Sequence, residues 1–433
     1  MTIKFFTRYN FILTIVLIFV LLSVGVRGST AQSTAQAPTG EPIVIAVASD
    51  LGNADVKSSL NAATMAVEEI NAAGGVKVGN TYRPFKIIST DTRDGSADVP
   101  VDDALQAMER LILEQKPAAL VIGNLRSEVM IASMDLMTKY KLPSILSIAA
   151  TPAMQAKVLA DYNKYKYMFR AGLNGSGVGM YLTQTMGTLG KDFGLKRAYI
   201  VYQDVAWAQG TAAGLEKWFQ GNGWQVIGKD PYPIGATDFT PSLTNAISGQ
   251  ADVIVPLFDM PSSSVLLKQA KAMQAPPVFA GFISPVAVAG ATDTFGSDVD
   301  GAINLSFEIG NLPVKAVPAS VDFFKKYSDK YGAEALATLG GHGPAPSYDS
   351  VYVLKAAIER AGSLDGDALV TALEATDLDG AIGHIKFGKD HQVIFGTDPK
   401  TTAMGAVFQW QGGKRVPVFP PSIAEGKIVI SGH

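Results

Sequence analysis

Short apolar runs alternate with longer amphipathic segments along the chain. The runs, which are typical of strands buried on both faces, lie at 43–48, 85–90, 118–123 and 144–148. Between them, apolar residues at helical spacing predict helices at 58–73, 101–115 and about 128–140. Gly74 and Gly75 are expected to end the first helix. This alternation predicts an α/β fold in which helices cover both faces of a parallel sheet.

A second series of the same kind begins near YMFRAG at 167–172. Its predicted strands lie at 197–204, 224–230, 252–259 and 276–282, and its predicted helices at 209–221 and 262–273. A strand at 301–307 and helices near 318–331 and 347–361 do not fit as further units of that second sheet. Short apolar segments at 382–387, 392–396 and 403–410 have hairpin spacing. We therefore expect two doubly wound parallel-sheet lobes, with late elements returning to the first lobe.

The N-terminus has the pattern of a secretory signal peptide. Lys4 and Arg8 precede an apolar run at 11–26, and the small residues of STAQSTAQA follow it, so that cleavage after Ala31 or after Ala37 fits. The alternative is a retained membrane anchor, since sixteen apolar residues are near the lower limit for a span. We expect cleavage and export to a periplasm, with residues 1–31 removed.

Composition narrows the class of protein. The 433 residues suggest two to three domains, and 47% apolar against 17% charged residues is enough for a large core. The net charge is −3 and no basic block follows the leader, so neither a nucleic-acid groove nor a membrane-surface patch is expected. Cysteine is absent and the four histidines are scattered, which excludes disulfides and argues against a metal site.

No motif for catalysis or for a cofactor is present. The sequence contains neither GxGxxG nor GxxxxGK[ST], and the GSGVG at 175–179 has its serine in the wrong place for a nucleophile elbow. Paired carboxylates such as Asp102 and Asp103 lie in helical patterns typical of solvated faces. We therefore predict that the protein is not an enzyme and carries no cofactor.

Polar residues follow five of the predicted strands. They are Arg126 and Ser127, Thr151, Trp207, Asp259 and Ser284. Each serine or threonine taken alone is most simply a helix cap. In open α/β sheets, however, ligands bind in crevices at the carboxyl ends of strands. Loops of this kind on both predicted lobes favour a binding cleft between them.

Several segments resemble the Leu/Ile/Val-binding branch of type I periplasmic binding proteins, which serve ABC importers. They are AVEEINAAGGV at 66–76, Asp91, VIGNLRSE at 121–128, the AATP loop at 149–152 and YDSVYVLKAAIE at 348–359. The resemblance covers essentially the whole chain after the leader. It implies a bilobed fold with three hinge crossings, a ligand enclosed between the lobes, and a membrane permease as partner.

The resemblance also divides the chain into domains. It implies a first lobe at 42–168 plus about 302–378, and a second lobe at 169–301 plus about 379–433. Members of this fold commonly act as monomers, and we expect the same here.

Positions matched to the family receive roles by resemblance. Ser127 is similar to the serine that holds a ligand carboxylate, and Ala149 and Thr151, with Ala150 between them, to the carbonyl and hydroxyl pair that binds the amino and carboxylate groups. Trp207 takes the place of a tyrosine that contacts the ligand. Asp259 lies at a position that is often aromatic. Ser284 lies where amino-acid binders carry a glutamate for the ammonium group.

Other candidates depart from the family pattern. The usual glycine-containing first loop is replaced by ASDLGNADVKSSL at 48–60, in which Asp50, Asn53 and Asp55 are candidates to line the cleft. Tyr348 begins a helix and is expected near the hinge or the cleft floor. His342 is interpreted as a loop residue near a hinge.

Arg126 and Trp207 each have two interpretations. The Arg126 guanidinium is suited to a bidentate pair with a ligand carboxylate, but a surface salt bridge to Glu128 or Asp135 fits the sequence equally well. Trp207 is suited to a stacking role in the cleft or to core packing.

These features predict an exported solute-binding protein that captures a small carboxylate, either an amino acid or a related organic acid. Ser284 in place of the expected glutamate leaves an aromatic acid or an amide as an alternative, whereas Asp259 is able to supply the missing negative charge. A ligand-sensing module for a membrane receptor is the alternative in another functional class.

Overall fold

The structure is a computed structural model that describes residues 38–275 and 277–430. The predicted leader at 1–31 lies outside the described residues. Within the described part of the chain, no helix is both long and apolar enough to cross a bilayer.

Strands and helices alternate through most of the fold. In chain order the first elements are β1 (Ile43–Ser49), α1 (Ala54–Ala72), β2 (Val76–Val78), β3 (Thr81–Arg83), β4 (Phe85–Asp91), α2 (Val101–Gln115), β5 (Ala119–Ile122), α3 (Ser127–Tyr140), β6 (Ser144–Leu146), α4 (Ala153–Ala160), α5 (Tyr162–Tyr165) and β7 (Met168–Arg170). The next are α6 (Gly175–Phe193), β8 (Arg197–Gln203), α7 (Ala206–Gly221), β9 (Gln225–Tyr232), α8 (Thr240–Ser248), β10 (Val253–Phe258), α9 (Ser264–Ala272), β11 (Val278–Ile283), α10 (Ser284–Ala287), α11 (Ala291–Phe295) and β12 (Ile303–Ser306). The last are α12 (Pro318–Ala337), α13 (Pro344–Ala361), α14 (Gly366–Glu374), β13 (Asp377–Gly380), β14 (Gly383–Lys386), β15 (Ala406–Gln411) and β16 (Lys414–Phe419).

The first large sheet has five parallel strands in the order β4-β1-β5-β6-β7. Its central strands are buried along their whole length, as their continuous apolar sequences predict. The strand order reverses between β1 and β5. In open α/β sheets the loops that follow two such strands frame a ligand crevice. Here those loops lead into α1 and α3.

The second large sheet has seven strands in the order β16-β15-β12-β11-β10-β8-β9. The strands from β9 to β12 are parallel, whereas β15 and β16 are antiparallel additions at one edge. The order reverses between β8 and β10, so a second crevice lies where the loops after these strands enter α7 and α9. The parallel α/β architecture predicted from the sequence is confirmed.

The chain passes between the two sheets three times, after β7, after β12 and before β15. The sheets divide the chain at somewhat different residues from those expected. The boundary at 168/169 falls inside β7, which pairs with β6 in the first sheet, and YMFRAG therefore ends the first series. β12, expected in the first lobe, pairs with β11 and β15 in the second sheet. Ile382 and Ile385, expected in the second lobe, pack in the core of the first.

Helix α6 is a nineteen-residue element that was not predicted from the pattern of apolar residues. Its four internal glycines are poor helix formers and obscured the pattern. The helical spacing of its buried residues was nevertheless present, at Val178, Tyr181, Leu182, Thr185, Met186 and Leu189. The Asn174 side chain caps the helix by accepting a hydrogen bond from Gly177 N–H over 2.9 Å. Packing of this apolar face outweighs the low helix propensity.

Candidate ligand-binding site

A small cavity lies where the loops of the two strand-order reversals meet. Its lining residues come from both halves of the fold. They are Asp55, Leu125, Ile148, Ala150, Trp207, Asp259, Phe282, Phe307 and His342. The site therefore has polar groups from each sheet around a largely apolar space, which is the usual character of a small-molecule pocket.

Asp55 lies in the first turn of α1 and is buried. Its Oδ2 accepts a hydrogen bond from Ser284 Oγ over 3.1 Å, and Ser284 begins α10 beyond the second sheet. Its Oδ1 is also buried and has no hydrogen-bond partner among the described residues. Burial raises the pKa of Asp55 to about 6, although His342 and the Ser284 hydrogen bond lower it. An incompletely satisfied carboxyl group in a cavity wall is a candidate ligand contact.

Gly340 provides the space that Asp55 occupies. A Cβ atom at this position would lie 1.8 Å from Asp55 Oδ1, which is far inside van der Waals contact. Any larger residue at 340 would displace the carboxyl group from its present position.

Trp207 and Asp259 form the wall supplied by the second sheet. Trp207 Nε1 donates to Asp259 Oδ2 over 2.7 Å, and Gln203 Oε1 accepts from the Asp259 backbone N–H over 3.2 Å. Burial raises the pKa of Asp259, while its hydrogen bonds and the charge of His342 lower it. The Trp207 ring meets Phe282 and Phe307 edge to face, at centroid distances of 6.1 and 6.2 Å.

His342 closes the cavity on the side of the crossing segments. Its Nδ1 lies 3.0 Å from Glu308 Oε1, and its Nε2 lies 2.6 Å from the carbonyl oxygen of Ile148. Burial opposes the charged imidazole, but the Glu308 carboxylate and the Ile148 carbonyl outweigh it and raise the pKa of His342. Both ring nitrogens therefore already have partners within the protein.

Glu308 holds together the segments that pass between the sheets. Its carboxylate accepts from the backbone N–H groups of Leu173 over 2.8 Å and Gly343 over 3.1 Å, and from Asn311 Nδ2 over 3.0 Å. The side chain is completely buried. This one carboxylate therefore connects Leu173, Asn311 and Gly343, which lie on the crossing segments, to His342 in the cavity wall.

The loop after β5 has a strained backbone. Ile122 has a φ of +75°, an unfavourable conformation for a β-branched residue, and Gly123 follows with a φ of +76°. The loop is fastened by Asp94, whose Oδ2 accepts from the N–H groups of Leu125 over 2.8 Å and Arg126 over 3.0 Å. Such strain is concentrated at functional sites, and Leu125 of this loop lines the cavity.

Arg126 does not form the surface salt bridge to Glu128 or Asp135 that was one of its two interpretations. Its Nη1 and Nη2 donate to the carbonyl oxygens of Ser96 over 3.2 Å and Val99 over 3.0 Å. Asp135 instead pairs with Lys164 at 2.8 Å, and Glu128 Oε1 accepts from Ala206 N–H at 3.1 Å. Arg126 thus anchors the loop before α2, and it is not among the residues that line the cavity.

The AATP loop contributes Ala150 to the cavity wall. Ala149, Ser127 and Thr151 are buried next to it, and Ser127 Oγ accepts from Thr151 N–H over 3.3 Å. The carbonyl oxygens of Ala150 and Thr151 accept hydrogen bonds from Gly175 N–H and from Arg170. These residues support the cavity on the side of the first sheet.

Two candidates lie away from the cavity. Asn53 is the N-cap of α1, and its Oδ1 accepts from the N–H groups of Asp55 and Val56. Tyr348 donates to Glu69 Oε2 over 2.6 Å and lines a separate cavity between α12, α13 and β13. The structure thus brings together Ala150, Trp207 and Asp259, with Ser284 bonded to Asp55, and places Asn53 and Tyr348 elsewhere.

The fold and this site can be compared with known proteins. A family model described as periplasmic binding protein matches residues 44–414. This chain belongs to that family. The family consists of periplasmic solute-binding proteins, which are not enzymes.

Curated relatives of this binding protein match over most of its length. Leu/Ile/Val-binding protein homolog 8 of Brucella abortus (strain 2308) is 25% identical over 378 residues, which are 84% of this chain and 86% of the relative. Homolog 7 of Brucella suis biovar 1 is 24% identical over 386 residues, which are 84% of this chain and 87% of the relative.

Solved structures share the fold of this binding protein. A putative branched-chain amino acid ABC transporter protein from Silicibacter pomeroyi has a TM-score of 0.75 at 18% identity, with 90% of this chain and 99% of that chain covered. A solute-binding protein from R. palustris in complex with benzoate has a TM-score of 0.69 at 17% identity, with 90% of this chain and 99% of that chain covered. A Streptococcus pneumoniae protein in complex with isoleucine has a TM-score of 0.68 at 19% identity, with 86% and 97% covered. The type I periplasmic binding protein fold predicted from the sequence is confirmed.

Sequence reasoning missed part of the cavity wall. Phe282 and Phe307 are the apolar ends of two predicted strands, and their positions at carboxyl ends were the available signal. His342 was interpreted as a loop residue, because nothing near it in sequence predicts a contact with Glu308. In the described part of the chain, no group of three or more His, Cys, Asp or Glu side chains is placed to hold a metal ion.

Proposed function

We propose that this binding protein encloses a small organic solute in the cavity between its two sheets and delivers it to the permease of an ABC importer. The observation that carries the proposal is the cavity itself, which takes its walls from the strand-order reversals of both sheets. A ligand placed there would contact both halves of the fold at once.

Direct hydrogen bonds between the halves support a closing motion around the solute. Ser284 bonds to Asp55, and Ala206 N–H donates to Glu128 Oε1, so that α10 and α7 of one half each reach a helix of the other. These contacts exist only when the halves are together. A solute that touches both halves therefore shifts the population toward the closed form, which the permease recognises.

The family resemblance favours a solute that carries a carboxylate, either an amino acid or a related organic acid. The solved relatives with isoleucine and with benzoate are consistent with either group. We propose also that residues 1–31 direct export and are cleaved, and that the mature protein acts as a monomer.

The test is to identify what the protein carries. The mature protein is purified from its host, denatured, and its released small molecules are identified by mass spectrometry, while the refolded protein is screened by thermal shift. A solute that raises the melting temperature, together with loss of its uptake in a deletion strain, is the expected result. A refolded protein that no host metabolite stabilises, with uptake unaffected by deletion, would overturn the proposal.

A further inference from the structure

Among the residues that the structure describes, those lining the cavity include two carboxyl groups and no lysine or arginine. Of the nine residues that line it, Asp55 and Asp259 are acidic and none is lysine or arginine. His342 is the one basic side chain among them, and both of its nitrogens are taken, by Glu308 and by the Ile148 carbonyl. Arg126 follows the lining residue Leu125 in sequence, but its guanidinium donates to the backbone carbonyl oxygens of Ser96 and Val99.

A ligand carboxylate in this cavity would meet no lysine or arginine, and the ring nitrogens of His342 are already bonded within the protein. It would also lie against Asp55 and Asp259, each supplied by a different half of the fold. Burying an unpaired anion beside like charges is strongly unfavourable. The cavity wall therefore selects against the group that the family resemblance favours.

A ligand ammonium group, in contrast, meets complementary groups. Asp55 Oδ1 is buried without a hydrogen-bond partner, and a donor from a ligand would satisfy it. The rings of Trp207, Phe282 and Phe307 form the adjoining wall, which suits both hydrocarbon and the cation–π attraction of an ammonium group.

We infer that the cavity takes a small apolar primary amine, with its ammonium group at Asp55 and Asp259, its hydrocarbon part against the three aromatic rings, and no carboxylate required. This inference rests on the proposed function of solute capture and names the chemical class of the solute. It assigns Asp55 and Asp259 as the residues that determine specificity.

The test uses four compounds that share a 3-methylbutyl chain, measured by calorimetry on the full mature protein. They are isoamylamine, leucine, 4-methylpentanoate and 4-methylpentanamide. The expected order has isoamylamine binding at least as tightly as leucine, and at least tenfold more tightly than the acid and the amide. Leucine binding more than tenfold better than isoamylamine, acid or amide binding as well as the amine, or no binding by any of the four would each overturn the inference.

Matched variants locate the binding groups. Asp55→Asn and Asp259→Asn each remove one negative charge at nearly constant volume, and each should weaken isoamylamine binding by about thirtyfold or more. Asp298→Asn, at an exposed position, is the control and should leave the affinity unchanged. Equal affinities for the three variants and the wild type would place the amine elsewhere and overturn the assignment.

Failure of the amine assignment can be told apart from failure of the proposed function. If the native solute released from the protein is an acid or an amide that stabilises it, the capture function stands and only the chemical class is wrong. If no host metabolite stabilises the protein and uptake is unaffected by deletion, capture itself is wrong.

Discussion

Ser284 Oγ donates a hydrogen bond to Asp55 Oδ2 across 3.1 Å, and the two residues lie in opposite halves of the fold. Asp55 belongs to α1, which follows the first strand of the first sheet, and Ser284 belongs to α10, which follows β11 of the second. Because Asp55 also lines the cavity, the contact between the halves and the candidate ligand contact share one carboxyl group. Closure and binding are therefore expected to be energetically coupled.

Ser284→Ala should weaken ligand binding while leaving each half folded. The substitution removes one hydrogen bond of the closed form, worth about 1 kcal/mol, which corresponds to roughly fivefold in affinity. Calorimetry with the native solute measures the loss, and small-angle scattering should show a smaller ligand-induced compaction. Ser297→Ala, at an exposed position, serves as the control. An affinity equal to that of the wild type would argue against coupling through this bond.

Asp55→Asn should change how stability depends on pH. The pKa of Asp55 rises on folding from 3.8 to about 6, so the folded protein binds the proton more tightly than the unfolded chain. Below pH 3.8 both states are protonated and no penalty exists. Between pH 3.8 and about 6 the unfolded chain loses this proton before the folded protein does, so the free energy of unfolding of the wild type falls, by up to about 3 kcal/mol above pH 6. Asparagine does not ionise, so Asp55→Asn has no such loss.

The measurement is urea unfolding of the ligand-free proteins between pH 4 and pH 7.5. The free energy of unfolding of Asp55→Asn minus that of the wild type should increase by about 2.5 kcal/mol over this range. The other titratable groups around Asp55, namely His342, Asp259 and Glu308, are present in both proteins. A difference that stays constant with pH would show that Asp55 titrates normally.

Glu308→Gln should be strongly destabilising. The substitution removes the charge that faces His342 and places an amide among donors from Leu173, Gly343 and Asn311. Breaking a buried, hydrogen-bonded ion pair costs about 3–5 kcal/mol. Urea unfolding at neutral pH measures this loss in the free energy of unfolding, and Glu114→Gln, at an exposed position, is the matched control. A loss below about 1 kcal/mol would mean that the crossing segments are held by other contacts.

Arg126→Ala should affect stability more than binding. The side chain fastens the loop before α2 through the carbonyl oxygens of Ser96 and Val99, and these acceptors would lose their partners. We expect the free energy of unfolding to fall by about 2 kcal/mol and the ligand dissociation constant to rise less than threefold. A large loss of affinity with unchanged stability would instead return Arg126 to the ligand-binding site.

The elements themselves were largely predictable from the sequence. α2 covers the residues expected, 101–115, and the strands β1, β4 and β8 lie within a residue or two of their apolar runs. Burial on two faces leaves a continuous apolar run and burial on one face leaves a helical period, so both signals are local. The family resemblance added the way in which the elements are joined.

The site was predictable only in part. Trp207 and Asp259 were identified because they follow strands whose carboxyl ends share an edge, but their hydrogen bond to each other could not be read from their spacing. The role expected for Arg126 depended on where its guanidinium points, which only its contacts with Ser96 and Val99 decide.

By itself the sequence determined the α/β class, most strands and helices and the set of loops that carry polar residues, because periodicity and burial act over neighbouring residues. The tertiary structure alone decided that β7 completes the first sheet, that β12 belongs to the second, and that Asp55 meets Ser284 across 229 residues of chain. It also decided the acidic, aromatic character of the cavity. Such pairings depend on how two whole sheets pack and close, and no local pattern of residues encodes the distance between two side chains so far apart in sequence.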